Sequence, residues 1–442
     1  MSRRNRKQRL PAPVERISVE SLAHDGRGVA RVEGKTVFIE GALAGEQVGF
    51  VYLATHKNFD EALATDIHLA SPDRVAPRCA HYGVCGGCSL QHLQADAQIR
   101  ARQQVLLDNL QRIGHVAPET VLEPMTAPVW GYRSKARLGV KHVIKKGRVL
   151  VGFREKRAPY LADLSRCEVL HPSVGEHLAE LCELIAQLEA RARIAQIEVA
   201  VAEDVTALVF RHLDPLTGAD RGQLQEFARR HGFHVYLQPA GPDSIHPLEP
   251  ADSVLAYLLP EQALEIRFLP GDFTQVNRAI NRQMVTRVLD MLALDRADTV
   301  LDLFCGLGNF TLPMARLAGQ VVGVEGEAGL VARALDNARL NGLDNVSFQV
   351  ANLFEDQRNA AWAGVAYNKV LLDPPRSGAA EILPVLGNIH PQRIVYVSCH
   401  PGTLARDAGL LVNEFGYRLR AAGVMDMFPH TAHVESIALF ER

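Results

Sequence analysis

The sequence predicts a multidomain α/β protein: a small N-terminal β-barrel, a mixed α+β middle and a Rossmann-like, doubly wound C-terminal domain. Three observations carry that prediction. Short apolar runs punctuated by glycine fill residues 13–70. Helix- and strand-like stretches mingle over 74–268, and from 270 to 442 strand and helix patterns alternate. The composition agrees, since 47% of the 442 residues are hydrophobic and 22% charged, the balance of a soluble chain with room for several cores.

Residues 1–12 form a basic tail, Met1-Ser-Arg-Arg-Asn-Arg-Lys-Gln-Arg9, with no apolar stretch behind it. Neither a secretory signal nor a membrane span is expected. Seven cysteines, an odd number unevenly spread, point to a reducing cytoplasm. The net charge is only −2, so any nucleic-acid surface must be local.

In the first part, runs Val14–Leu22, Val29–Val32, Thr36–Ile39 and Val48–Leu53 are separated by glycines at 26, 28, 34, 41 and 45. That spacing of strands and turns suits a small barrel. The middle opens on Cys79-x5-Cys85-x2-Cys88, followed by a predicted helix over 94–113 that could pack on the C-terminal domain. Strand-like runs follow at Ala136–Val143, Val149–Phe153, Ile197–Phe210 and His234–Gln238, and the proline-rich stretch Pro239–Asp252 reads as a loop. The last part reads as helix Gln275–Leu292, strand Thr299–Leu303, helix Phe310–Leu317, strand Gln320–Val324 and helix Ala328–Asn341. Strands Val346–Val350, Lys369–Leu372 and Arg393–Ser398 and a β-rich tail complete it.

The chemistry gathers at the strand ends of this last part, where open parallel sheets bind ligands. Asp302-Leu-Phe-Cys-Gly-Leu-Gly-Asn309 lets backbone approach a ligand, and Glu325 ends the next strand, where an acid commonly meets ribose hydroxyls. Thr311 stands where a dinucleotide fingerprint has its third glycine, which favours a nucleoside cofactor without a pyrophosphate. Asn352 follows the third strand of this part and could meet an adenine edge. Asp373-Pro-Pro-Arg376 presents an acid on a stiff loop. Cys399 leaves a strand ahead of His400-Pro-Gly402 and reads as a nucleophile, whereas Cys182 and Cys305 read as small core residues. Glu435 precedes the last strand and could serve as a base; His430 and His433 read as structural.

Cys79, Cys85 and Cys88, with distant Cys167 as fourth, have the donor set of a zinc or iron–sulfur site. Between Gly131 and Arg157, ten basic residues (Arg133, Lys135, Arg137, Lys141, Lys145, Lys146, Arg148, Arg154, Lys156, Arg157) face one acid, Glu155. Trp130, Tyr132 and Phe153 lie among them, a mixture suited to phosphates and unpaired bases.

Together, Asp302–Asn309, Asp373–Arg376, Ser398-Cys-His-Pro-Gly-Thr-Leu-Ala-Arg-Asp407 and His433-Val-Glu435 resemble the RNA uracil-C5 methyltransferases. The resemblance implies an S-adenosylmethionine-dependent methyltransferase with Cys399 as nucleophile and Glu435 as base. It implies cofactor contacts from Gln275, Phe304, Asn309, Glu325, Asn352 and Asp373. The cysteine spacing resembles the [4Fe–4S] site of the ribosomal-RNA subgroup, and the N-terminal barrel resembles a TRAM domain, an OB-like RNA-binding module. The implied substrate is a single-stranded or loop uridine of 23S rRNA, with no DNA or membrane partner and a monomeric enzyme. Another rRNA or a tRNA uridine is the nearest alternative, and a non-catalytic RNA-binding assembly factor the alternative of a different class. The family usually has Asn after the nucleophile where this chain has His400, which bears on substrate positioning.

Overall fold

The computed structural model describes residues 10–442, so most of the basic tail lies outside the described residues. The chain forms two compact units. One takes the residues up to Tyr82, with Cys88–Arg102 and His430–His433; the other takes Gly83–Gly87, Gln103–Pro429 and Val434–Arg442.

The first unit is a six-stranded sheet of β1 (Val14–Ser18), β2 (Ser21–Leu22), β3 (Gly28–Val32), β4 (Lys35–Glu40), β5 (Gln47–Thr55) and β6 (Phe59–Leu69), in the order β1-β5-β6-β4-β3-β2. Three register shifts along β5–β6 bend the sheet around Val37, Ile39, Val48 and Phe50. Buried Glu46 accepts from the amides of Leu43 and Ser71 and pairs with Arg74 at 2.5 Å, pinning the chain where it leaves the sheet. Burial raises the Glu46 pKa, but the Arg74 and amide hydrogen bonds outweigh it and hold the carboxylate charged. Within the same unit Ser89 and Leu90 donate to the carbonyl of His430, and Gln98 exchanges hydrogen bonds with His430.

In the second unit, α1 (Ala95–Asn109), begun in the first, runs into a π-helical turn, Leu110–Gly114. The predicted helix over 94–113 is thus α-helical only to Asn109. After β7 (Thr120–Val121) come β8 (Lys135–Val143), β9 (Arg148–Gly152), α2 (Pro172–Gly175), α3 (Leu178–Gln187), β10 (Ile194–Val201), β11 (Thr206–His212), α4 (Gly218–His231), β12 (Phe233–Gln238) and β13 (His246–Glu249). They build a central sheet in the order β13-β12-β11-β10-β8-β9, with residues of α3 and α4 in its core. The long run Ile197–Phe210 proves to be two strands, because the chain reverses where Ala202 donates to the Val205 carbonyl. The proline-rich stretch Pro239–Asp252, expected to be all loop, contains edge strand β13, where proline's missing N–H costs nothing.

A hairpin, β14 (Leu255–Leu259) and β15 (Leu264–Phe268), leads to α5 (Arg278–Leu292). That helix starts three residues later than its sequence pattern predicts. Asn277 caps it by accepting from the Ile280 amide, and Val276 is held outside the helix by the Ser134 amide. Then follow β16 (Thr299–Leu303), α6 (Thr311–Leu317), β17 (Gln320–Glu325), α7 (Ala328–Leu340), β18 (Val346–Val350), β19 (Lys369–Leu372), α8 (Leu383–Ile389), β20 (Arg393–Ser398), α9 (Pro401–Asn413), β21 (Arg418–Met425) and β22 (Glu435–Glu441). The eight-stranded sheet has the order β18-β17-β16-β19-β20-β22-β21-β7. β16 to β20 are parallel, and the order reverses at β16, which puts a crevice beyond the carboxyl ends of β16, β17 and β19. β22 inserts antiparallel between β20 and β21.

Candidate active site

Fully buried Asp302, the fourth residue of β16, accepts a 2.5 Å hydrogen bond from the Thr311 hydroxyl, tying the strand to the start of α6. Thr311, in the place of the missing third glycine, therefore has a bracing task of its own. Between strand and helix, Phe304, Gly306 and Gly308 all have positive φ, at 66°, 53° and 88°. Such a backbone is easy for glycine and strained for phenylalanine, and strain of this kind collects at functional turns. Gly306 donates to one oxygen of Glu325, and the amides of Gly326 and Glu327 donate to the other. The acid at the end of β17 is thus held rigidly at the crevice.

Phe304, Gly306, Glu325 and Gly326 border a cavity of about 500 Å³, large enough for a nucleoside cofactor and part of a base. Gln275, Phe304, Asn309, Glu325, Asn352 and Asp373 all line it, as do Cys399 and Glu435. Gln275 reaches it from the extended segment before α5. The Asn309 side chain, however, is already committed. Its oxygen accepts from the Tyr257 hydroxyl and from Asn281, and its nitrogen donates back to Asn281. Asn352 takes the loop-cap role too, accepting from the Phe354 amide while donating to Glu355. Phe354 stands 5.8 Å from Phe304, ring centre to ring centre, and the two form an aromatic wall. Tyr257, Asn281 and Phe354 escape sequence reasoning because each acts through a partner distant in sequence or on the next loop.

Cys399 and Glu435 meet because of the inserted strand. Ser398, the last residue of β20, pairs with Ser436 of β22, and the Ser436 hydroxyl donates to the Ser398 carbonyl. One step outward, Cys399 follows β20 and Glu435 opens β22, so both lie at the same end of the sheet. Behind Cys399, His400 caps α9 by accepting from the Thr403 amide through Nδ1. The imidazole does here what an asparagine amide does elsewhere.

Burial shapes the electrostatics. It pushes the Glu435 carboxyl up to about 8, aided by the Asp373 charge and opposed by Arg376. It pushes Asp373 up to about 7. The Cys399 thiol rises to about 11, first through burial and then through the charges of Glu435 and Asp373, again with Arg376 opposing. Arg376, on the Asp373-Pro-Pro loop, is the cation that favours a thiolate. A thiol, a carboxyl tuned towards neutral pH and a guanidinium around one cavity can support covalent addition followed by proton removal.

The predicted basic surface divides. Lys135 donates to the carbonyls of Pro270 and Asp272, Arg137 pairs with Glu198, and Arg148 pairs with Asp163. Arg133 lies over the Phe153 ring at 5.8 Å, and the Tyr132 hydroxyl donates to the Pro429 carbonyl. Lys141 and Lys145 are exposed, Lys145 and Lys146 lie at the tip of the β8–β9 hairpin, and Ile144 beside them is 83% exposed. None of the four predicted ligand cysteines forms a disulfide. Cys85 and Cys167 border the central-sheet core, and the Cys85 sulfur accepts from the Gly87 amide at 3.4 Å.

Residues 205–442 match a family described as tRNA (Uracil-5-)-methyltransferase, and residues 9–49 match the TRAM domain. A Methylococcus capsulatus protein named 23S rRNA (uracil(1939)-C(5))-methyltransferase is 54% identical over 443 residues, covering 100% of both chains. Proteins of the same name from Xanthomonas oryzae and Alkalilimnicola ehrlichii are each 53% identical, covering 99% of this chain and 99% and 98% of theirs. Among solved structures, a Pyrococcus abyssi tRNA (uracil-54, C5)-methyltransferase in complex with S-adenosyl-L-homocysteine superposes with a TM-score of 0.73. At 24% identity, covering 96% of this chain and 100% of that one, it shows the shared fold.

Proposed function

The chain belongs to the RNA uracil-C5 methyltransferases, and from that premise we propose that it methylates C5 of one uridine in 23S ribosomal RNA, the uridine numbered 1939 in the relatives' names. It is an S-adenosylmethionine-dependent RNA methyltransferase. One observation carries the chemical reading: Cys399, Glu435 and Asp373 line the same cavity as the Gly306 turn and Glu325.

In this reading the Cys399 sulfur adds to C6 of the uracil. The ring electrons pass to C5, which takes the methyl group from the sulfonium donor and leaves S-adenosylhomocysteine. Glu435 removes the proton from C5, the C5–C6 double bond re-forms, and the C6–sulfur bond breaks with its electron pair leaving on the sulfur as the Cys399 thiolate. The thiol is needed because C5 of uracil is a poor nucleophile until C6 is occupied, and the base is needed to restore the ring. Arg376 offsets the acids that would otherwise hold the thiol protonated. Glu325 meets the ribose hydroxyls, Phe304 and Phe354 flank the adenine, and Gln275, Asn352 and Asp373 complete the pocket. Asn309 contributes through its backbone and its bracing of Tyr257 and Asn281.

Cys79, Cys85, Cys88 and Cys167 would hold the [4Fe–4S] cluster. Four undisulfided, partly exposed cysteines suit it, as does the amide directed at the Cys85 sulfur, since hydrogen bonds to ligand sulfurs tune such clusters. A bound cluster would supply no step of the transfer. Exposed lysines of the β8–β9 hairpin and the TRAM domain would grip the RNA backbone while the target base leaves its stack.

RNA carrying 5-fluorouridine at the target tests this, because fluorine cannot leave C5 as a proton does. The parent protein should form a methylated covalent adduct with it, and Cys399→Ala should form none and transfer no methyl group. Turnover by Cys399→Ala would sink the assignment. Mapping of 5-methyluridine in cellular RNA with and without the gene tests the target site.

A further inference from the structure

We propose that His177, Glu180 and His231 form a binding site for a borderline divalent transition metal, Zn²⁺ foremost, that joins α3 to α4 apart from the methyl-transfer cavity. His177 is the residue before α3 and Glu180 lies three residues on, so both side chains rise on one side of the helix. His231 is the last residue of α4, which Gly232 ends in the left-handed conformation. The carboxylate lies between the two rings: one oxygen is 2.8 Å from His177 Nδ1, the other 3.2 Å from His231 Nε2. One donor atom from each residue lies within 4.8 Å of the others. A tetrahedral zinc with bonds of about 2.0–2.2 Å needs donors roughly 3.3 Å apart, within reach of small side-chain rotations.

The surroundings are those of a built site. The rings are inclined at 67° with centres 5.1 Å apart, so they converge from two directions instead of stacking. Phe227, 4.4 Å from the His231 ring, and Phe233, 5.9 Å away, wall it on the apolar side. The His231 side chain is only 14% exposed, whereas Glu180 at 43% leaves a way in for the ion. Two imidazoles and one carboxylate, with a fourth position open to water, suit zinc, cobalt or nickel better than oxygen-seeking magnesium or calcium. Because α3 and α4 both pack on the central sheet, a metal between them would stabilise that part of the fold by mass action.

Titrating the full-length protein, freed of loosely held metal on a chelating resin, with Co²⁺ and then Zn²⁺ tests the site. The expected result is one added Co²⁺ per chain, seen in the difference spectrum against the cluster-loaded protein as ligand-field bands without further sulfur-to-metal charge transfer, displaced by Zn²⁺. Glu180→Gln and His231→Ala should each weaken binding roughly tenfold to hundredfold or more, the scale seen even for outer ligand contacts. Zn²⁺ should raise the melting temperature of the parent and not of the variants. Glu180→Gln, on a partly exposed side chain, keeps the test valid should His231→Ala fold poorly, and neither change should alter methyl transfer. A difference spectrum dominated by thiolate charge transfer, one unchanged in the variants, or no binding at all would show the three side chains to be an ion-pair cluster and overturn the proposal.

Discussion

The Cys399 thiol and the Glu435 carboxyl sit in opposition at the scale of single residues. Cys399 is least acidic when Glu435 is charged, because the carboxylate adds to the burial that already raises the thiol. The sign of the effect follows. Near pH 9, above the raised pKa of about 8, Glu435 carries its charge; near pH 6 it does not. Replacing it by glutamine should therefore speed alkylation of Cys399 by iodoacetamide several-fold at about pH 9 and hardly at all at about pH 6. Equal rates at the higher pH would show that the carboxyl does not face the sulfur. Cys399 and Glu325 stood out in the sequence because each lies at the carboxyl end of a recognisable strand, whereas Glu435, which opens β22, was reached only through the resemblance; all three line the one cavity. The commitment of Asn309 to Tyr257 and Asn281 was not, because it depends on partners 52 and 28 residues away. A motif names the residue, and only packing says which of its atoms remain for a ligand.

Elements hold these residues through caps and close contacts. His400 stands where the resemblance leads one to expect asparagine, and its Nδ1 takes over the capping of α9, the helix that follows Cys399. His400→Asn should preserve stability, while His400→Ala should lose about 1 kcal/mol in urea unfolding. Farther along α9, the π-helical turn approaches so closely that a Cβ on Gly114 would lie 2.3 Å from the Ala405 carbonyl oxygen. Gly114→Ala should cost about 1–3 kcal/mol, read from the same denaturation curves. A cost below about 0.5 kcal/mol would mean the contact is loose. Helix and strand identities in the last part were legible from periodicity and glycine placement. The start of α5 was not, because Gln275 and Val276 continue the helical pattern, and Asn277 caps the helix after them. The edge strand in Pro239–Asp252 was hidden by prolines that only an edge tolerates.

For the whole molecule, the alternation of strands and helices was enough to expect a doubly wound sheet, and the glycine-broken runs a separate small β domain. The charge pattern was less informative. Of ten basic residues in sequence, Arg133 and Lys135 donate to carbonyls and Arg137, Lys146 and Arg148 pair with acids, while Lys141 and Lys145 stay exposed on the β8–β9 hairpin. Sequence counts charges, whereas a fold decides which of them water and RNA can reach. Replacing Lys145 and Lys146 together by glutamate should weaken RNA binding and reduce the slope of log affinity against log salt by about 1 or more, at roughly 0.7 per phosphate contact on a single strand. An unchanged slope would remove this hairpin from the RNA-binding surface.

The placing of β22 between β20 and β21 sets which changes evolution can tolerate. Cys399 directly follows Ser398 and Glu435 directly precedes Ser436, and those serines pair across β20 and β22, so no loop length enters the separation. Adding or deleting a single residue within either strand would turn one of the two side chains towards the opposite face. An insertion between β21 and β22 would leave that pairing intact but would have to spare His430, which Ser89, Leu90 and Gln98 hold.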